Sequence, residues 1–107
     1  MDKRIRRFYI PMTETSFYIL FALQNEMHGY SLMQYVRELT EDEISLGAGT
    51  VYTSLSKMEK DGLIVFVKTE SNRKFYKISD LGHEILKIEI RRIERLYKNT
   101  RIQGGVQ

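Results

Sequence analysis

One stretch of the chain decides the fold: Gly49-Thr50-Val51-Tyr52-Thr53-Ser54-Leu55-Ser56-Lys57-Met58-Glu59-Lys60-Asp61-Gly62-Leu63-Ile64. Its apolar residues Val51, Leu55 and Met58 recur at helical spacing, which predicts a helix over 48–61 with one buried side. Gly62 ends that helix, because glycine readily adopts the left-handed conformation that follows a helix C-terminus. The β-branched and aromatic run 63–67 then predicts a strand. The stretch therefore predicts a helix that leads directly into a sheet.

Downstream, the sequence predicts a β-hairpin and a long final helix. Glu70-Ser71-Asn72 has turn chemistry, and Phe75-Tyr76-Lys77-Ile78 forms the second strand. Ser79 caps the last helix, over 80–99, whose wide apolar stripe contains two lines of residues. One line packs on its own domain, and the other meets a partner helix, with Leu86, Ile90, Ile93 and Tyr97 as the predicted dimerisation residues.

Upstream, two further helices are predicted. Thr13 caps a helix over 14–25 that is apolar on almost every side, and Gly29 interrupts the pattern. Ser31 caps or opens a helix over 30–39, and an acidic loop over 40–45 follows. The predicted fold class is mainly α with a β-hairpin, a winged helix-turn-helix plus a long C-terminal dimerisation helix. We divide it into a basic N-terminal arm (1–12), the winged-helix domain (13–79), the dimerisation helix (80–99) and a flexible tail (100–107).

Composition excludes several classes of protein. The chain has 107 residues, a net charge of +3 and no cysteine, so disulfides, zinc–thiolate sites and cysteine nucleophiles are ruled out. No apolar run is long enough to span a bilayer, and we expect no signal peptide and a cytoplasmic location. The two histidines, His28 and His83, stand in different elements without clustered ligands or a nucleophile. We expect neither an enzyme, nor a metal, nor a cofactor.

The exposed side of the third helix has the chemistry of a DNA reader. Thr50, Thr53 and Ser54 are short polar residues near the helix N-terminus, where helix-turn-helix proteins place base contacts. Lys57 reaches a base or a phosphate, and Tyr52 either donates its hydroxyl to a phosphate or packs its ring into the core. The alternative for the hydroxyls is an ordinary solvated surface. Ser31, on the preceding helix, is also a candidate DNA contact.

Basic residues follow in the hairpin. Arg73 and Lys74 flank its turn and Lys68 lies on the other strand, so they are candidates to grip DNA backbone or to enter the minor groove. The alternative is protection of an edge strand. In the N-terminal arm, Lys3, Arg4, Arg6 and Arg7 add phosphate contacts or form a flexible tail.

Three motifs resemble those of PadR-type transcription regulators. They are Met27-His28-Gly29-Tyr30-Ser31-Leu32, the opening stretch 49–64, and Arg73-Lys74-Phe75-Tyr76-Lys77-Ile78-Ser79-Asp80-Leu81-Gly82. The family commonly has proline where this chain has Thr53. Because proline is tolerated early in a helix, the change alters exposed chemistry and not the fold.

The resemblance implies a homodimeric repressor that binds a palindromic operator in double-stranded DNA. It also implies relief by a hydrophobic or aromatic small-molecule effector, although the tryptophan that some relatives use is absent. The alternative, from a different class, is a winged-helix protein-interaction module that does not read DNA.

Overall fold

A computed structural model describes residues 1–102, 104 and 105. Within these residues the chain forms five helices and three strands, in the order α1 (Lys3–Tyr9), α2 (Glu14–Ala22), β1 (Met27–His28), α3 (Gly29–Leu39), α4 (Ala48–Lys60), β2 (Ile64–Glu70), β3 (Arg73–Ile78) and α5 (Asp80–Ile102). The strands form one antiparallel sheet with the order β1-β3-β2. The predicted fold class, mainly α with a β-hairpin in winged-helix order, is confirmed.

A single core lies between α2, α3, α4 and the first half of α5. Each of these helices contributes side chains with almost no solvent exposure: Ile19, Leu20, Leu32, Val36, Val51, Leu55, Met58, Ile85 and Leu86. The predicted inward stripe of α4 is thus confirmed. Burying such a side chain stabilises a fold by roughly 1.5–3 kcal/mol, so this shared core fixes the position of α4 against its neighbours.

Helix α2 begins at its predicted cap, whereas α3 begins at Gly29 with His28 as its cap and not at the predicted Ser31. Thr13 Oγ1 accepts from the Ser16 N–H at 3.1 Å at the start of α2. Helix α2 ends at Ala22, three residues before its predicted end at 25, because the chain turns there and becomes extended as β1. In β1, Met27 pairs with Tyr76 and His28 with Phe75. A strand this short, paired with residues far along the chain, leaves no local signal and was not predicted.

The hairpin turns at Ser71 and Asn72, whose φ angles are 53° and 62°. Two consecutive left-handed residues make a tight turn that matches the twist of the flanking strands. Both strands are longer than predicted, and β2 contains a bulge at Val67, between the pairs Phe66–Tyr76 and Lys68–Phe75. We call residues 64–78 the wing.

Helix α5 starts against the backbone of the residue that precedes β2. Ser79 Oγ accepts from the Gly82 N–H at 3.0 Å and donates to the Gly62 carbonyl at 2.6 Å, so the predicted cap is confirmed. A Cβ on Gly82 would lie 2.1 Å from the Leu63 carbonyl oxygen. Only a residue without a side chain therefore permits this approach of helix and sheet. Only Ser79 separates β3 from α5.

The second half of α5 projects from the core. Every residue from 93 to 102 is exposed, and the helix runs to Ile102, beyond the predicted end at 99. Of the predicted tail, Gln103, Val106 and Gln107 lie outside the described residues. The assignment of Leu86 to a dimer surface was wrong, because its side chain is 2% exposed in the core of its own chain.

The N-terminal segment contains a helix that the sequence analysis did not predict. Asp2 caps α1 by accepting from the Arg4 N–H, and Ile5 and Tyr9 are buried in the main core. A helix of seven residues is unstable in isolation. Its tertiary contacts therefore hold it in place, and the basic side chains between Ile5 and Tyr9 take defined positions.

In the part of the chain that the structure describes, no helix is long and apolar enough to cross a membrane. The same residues contain no group of three or more side chains that could bind a metal ion.

Candidate nucleic-acid interface

The outward side of α4 carries short hydroxyl side chains. Thr50, Thr53 and Ser56 are exposed there, opposite the buried stripe, and we call these three residues the reading face. Ser54, also predicted as a contact, is half-buried at its edge. Gly47 caps the helix without a side-chain hydrogen bond, so the first N–H groups of α4 have no side-chain acceptor. Ser56 was missing from the predicted contacts, although helical spacing places it between Thr53 and Lys60 on the exposed side.

The Lys57 side chain contacts an acidic and an aromatic residue of the same chain. Its ammonium lies 3.0 Å from Asp61 Oδ2 and 4.6 Å from the centre of the Phe8 ring in α1. Burial acts to raise the pKa of Asp61, but hydrogen bonds from Lys57 and Tyr9 outweigh it, so the pKa is lowered. The Lys57 side chain thus lies beside Thr53 of the reading face, and Asp61 offsets part of its charge.

Tyr9 connects α1 to the same carboxylate. Its hydroxyl donates to Asp61 Oδ2 at 2.8 Å, and its side chain is 3% exposed. Burial and the neighbouring Asp61 raise the pKa of Tyr9, so the phenol keeps its proton and remains a donor. The C-terminal end of α4 is therefore attached to α1 by a partly buried hydrogen bond.

Tyr52 lies on the opposite flank of α4, beside the wing. The two predicted roles of Tyr52 were a phosphate contact and packing into the core, and neither describes it fully. The ring packs on Gly29, but the residue stays 53% exposed. A Cβ on Gly29 would come within 2.8 Å of that ring, so a larger residue at this position would displace the Tyr52 side chain. The ring also lines a cleft of about 250 Å³ with Asn72, Arg73 and Lys74 of the wing.

The basic residues of the wing differ in whether carboxylates pair with them. Lys68 lies 2.9 Å from Glu70 and 3.5 Å from Glu26, and Glu70 raises its pKa. Arg73 stacks 4.9 Å from the centre of the Tyr30 ring. Lys74 is exposed near the turn. The wing therefore presents Lys74 and Arg73 next to α4, whereas Lys68 is paired with carboxylates of the same chain.

Ser31 is used by the fold. Its hydroxyl donates to the His28 carbonyl at 3.0 Å and accepts from the His28 N–H at 3.2 Å, while its own N–H donates to His28 Nδ1 at 3.1 Å. These bonds form a capping box that starts α3. Because this hydroxyl is already bonded, we leave Ser31 out of the proposed DNA contacts.

The cap at His28 makes stability depend on pH. Burial and, second, the charge of Arg73, whose Nη1 lies 3.5 Å from Nε2, lower the pKa of His28. The unfolded chain then binds more protons than the folded one below about pH 6.5. We expect the urea midpoint to fall between pH 7.5 and pH 5.5.

Substitution of His28 by asparagine retains a capping acceptor and removes the titrating group. The fall in midpoint should therefore shrink in His28→Asn. Equal slopes in both proteins would contradict a role for His28, since Asp61 and Glu70 have lowered pKa values and titrate at more acidic pH.

Helix α5 presents an apolar surface away from α4. Ile93, Leu96 and Tyr97 are 40%, 48% and 64% exposed and lie on one side of the helix, while Ile90 is half-buried against the core. A groove of about 380 Å³ lies beside them, lined by Met12, Glu14, Phe17, Tyr18, Glu89, Arg92 and Ile93. The buried Glu89 is paired with Arg92 at 2.6 Å and accepts from the Met12 N–H.

Comparison with known proteins agrees with this architecture. The profile of the transcriptional regulator PadR-like family matches residues 19–88, more than half of the chain. No curated protein sequence matches this chain. A PadR family transcription regulator from Clostridium difficile is 25% identical, with a TM-score of 0.74 over 87% of this chain and 100% of that one. A transcriptional regulator from Clostridium thermocellum has a similar fold, at 22% identity and a TM-score of 0.72 over 100% and 99%.

A third relative is the PadR of Bacillus subtilis, whose structure was solved in complex with operator DNA. It is 25% identical, with a TM-score of 0.66 over 73% of this chain. The match covers 47% of that protein, so this chain corresponds to about half of its length. The fold, the motifs and the family profile lead to one assignment: the chain belongs to the PadR-like family of transcriptional regulators.

Proposed function

We propose that this regulator binds a palindromic operator in double-stranded DNA as a homodimer and represses transcription. The observation that carries the proposal is the reading face, which presents three short hydroxyl side chains beside a wing with exposed basic residues. Such side chains allow a helix backbone to approach the bases, and their hydroxyls donate or accept at base edges. The Bacillus subtilis relative bound to operator DNA supports the same use of this fold.

The exposed part of α5 supports the homodimer. Ile93, Leu96 and Tyr97 recur at the spacing of one helix face, on the exposed part of α5. Apolar side chains clustered in this way favour association with an identical surface. We propose Ile93 and Tyr97 as central dimer residues, with Ile90 at the edge.

We further propose that a hydrophobic or aromatic effector relieves repression by binding in the groove between α2 and α5. The supporting observations are its volume, which suits a small organic molecule, and the half-buried aromatic rings of Phe17 and Tyr18. Because Ile93 lines both the groove and the exposed surface of α5, a bound molecule would alter the dimer. Release of operator DNA by planar aromatic compounds, measured by fluorescence anisotropy, tests this proposal.

The DNA proposal is tested by selecting bound duplexes from a random pool and measuring the affinity of the enriched duplexes at increasing salt concentration. We expect an enriched palindrome and a linear fall of log affinity with log salt. Thr53→Val, which replaces the hydroxyl by a methyl group, should weaken binding to the palindrome about tenfold, within the range of about 1–3 kcal/mol for a base contact. The scrambled duplex is the control and should be bound equally by both proteins.

Failure to enrich any sequence, with only weak binding at low salt, would contradict the operator proposal. That outcome would favour the alternative of a protein-interaction module built on a winged-helix scaffold.

A further inference from the structure

The two flanks of the reading face are occupied by different elements. On one flank, Tyr52 meets the wing. On the other, α1 lies against α4, where Phe8, Thr53, Ser54 and Lys57 line a shared depression of about 190 Å³. Helix α1 therefore flanks the reading face on the side opposite the wing.

Helix α1 is strongly basic and firmly attached. Lys3, Arg4, Arg6 and Arg7 are all exposed, while Ile5 and Tyr9 anchor the helix in the core. Arg4 lies 4.0 Å from Asp2, and no ion pair of Arg6 or Arg7 occurs among the described residues. These charges repel one another, so an anionic partner would stabilise them.

Helical spacing separates the basic side chains into two groups. Arg4 precedes Phe8 by four residues, so it shares the flank that faces α4, and Arg7 lies one turn after Arg4. The Arg4 charge also helps to lower the pKa of Asp61, at the end of α4. Lys3 and Arg6 also lie one turn apart, on a strip of the helix surface that is turned roughly 100° away from the strip of Arg4 and Arg7.

Part of the positive charge in the same region is already paired with carboxylates. Lys57 is paired with Asp61, and Lys68 with Glu70 and Glu26, so two of the cations predicted from the sequence to contact DNA are offset by carboxylates. A protein that binds DNA needs unpaired cations to replace the counterions of the phosphates. Helix α1 offers such cations beside the reading face.

We infer that α1 is a second backbone clamp, in which Arg4 and Arg7 bind DNA phosphates on the side of α4 opposite the wing. The inference rests on the proposed function, because the partner that it assigns to α1 is the DNA strand beside α4. Anchoring by Ile5 and Tyr9 reduces the ordering cost that a flexible basic tail would incur on binding.

The test compares two double variants that remove equal charge. Arg4→Gln/Arg7→Gln and Lys3→Gln/Arg6→Gln each lower the charge of a subunit by two, so diffuse electrostatic attraction changes equally. In the first variant we expect the slope of log affinity against log salt to lose about 2 per bound subunit. Affinity for the selected operator and for a scrambled duplex should fall by the same factor, at least tenfold. The second variant should change both quantities much less.

Equal slopes and affinities in the two double variants would overturn the inference while leaving the proposed function intact. An absence of DNA binding by the unmodified protein would overturn both. Thermal unfolding of all three proteins shows whether a loss of binding comes from a loss of structure, and a folded Arg4→Gln/Arg7→Gln protein with unchanged binding would also overturn the clamp.

Discussion

Gly82→Ala is expected to destabilise the protein by about 3 kcal/mol or more, the upper range for inserting a methyl group into a packed interior. The added Cβ would lie 2.1 Å from the Leu63 carbonyl oxygen and 2.8 Å from Ile78 Cγ1. The carbonyl belongs to the backbone and cannot rotate away, so α5 must shift. Against a typical stability of about 5–15 kcal/mol, thermal unfolding should begin at a markedly lower temperature.

The control for this substitution is Gly49→Ala. A Cβ there meets no atom within 4 Å, and the residue lies within α4. Alanine favours helix over glycine by up to about 1 kcal/mol, so Gly49→Ala should leave stability unchanged or raise it. The two variants should be compared at one protein concentration, because a dimer unfolds in a concentration-dependent way. A Gly82→Ala protein as stable as Gly49→Ala would contradict the close packing at Leu63.

The double substitution Ile93→Asp/Tyr97→Asp is expected to give a monomer with at least 100-fold weaker operator binding. Each aspartate would place a charge in the apolar contact that we propose between two copies of α5, and charge buried without a partner is strongly unfavourable. Loss of the dimer removes the gain from engaging two half-sites at once, which ranges from about 10² to 10⁴. Sedimentation velocity measures the mass, and fluorescence anisotropy measures the affinity.

Arg95→Asp is the matched control, because Arg95 is exposed on the opposite side of α5. It should remain dimeric. If Ile93→Asp/Tyr97→Asp also sediments as a dimer, the association surface lies elsewhere on the molecule.

The sequence predicted the elements whose signal is local. Val51, Leu55 and Met58 repeat at helical spacing, and Gly62 takes the left-handed conformation with a φ of 83°. Thr13 and Ser79 act as caps because a short hydroxyl before a helix can accept from its first N–H groups. The order of helices and strands, and with it the winged-helix class, follows from such short-range rules.

The features that the sequence did not predict depend on distant contacts. Strand β1 exists because Met27 lies beside Tyr76, and α1 because Ile5 and Tyr9 reach the core. Glu89 looks like an exposed helix residue, yet it is fully buried and bonded to the Met12 N–H. In the candidate interface, the pairing of Lys57 with Asp61 and of Lys68 with Glu70 depends on side-chain geometry. A count of basic residues therefore overstates the charge available to DNA.

The short junction at Ser79 fixes the orientation of the wing relative to α5. One residue joins the wing to α5, and the contact of Gly82 with Leu63 leaves no hinge between them. In the proposed dimer, the distance between the two wings is then a fixed property of the protein, and DNA must adapt to it. One base pair inserted at the centre of an operator would rotate one half-site by roughly 35°, on a helix of about 10–10.5 base pairs per turn. We therefore expect the proposed dimer to discriminate operators by their spacing as well as by their sequence.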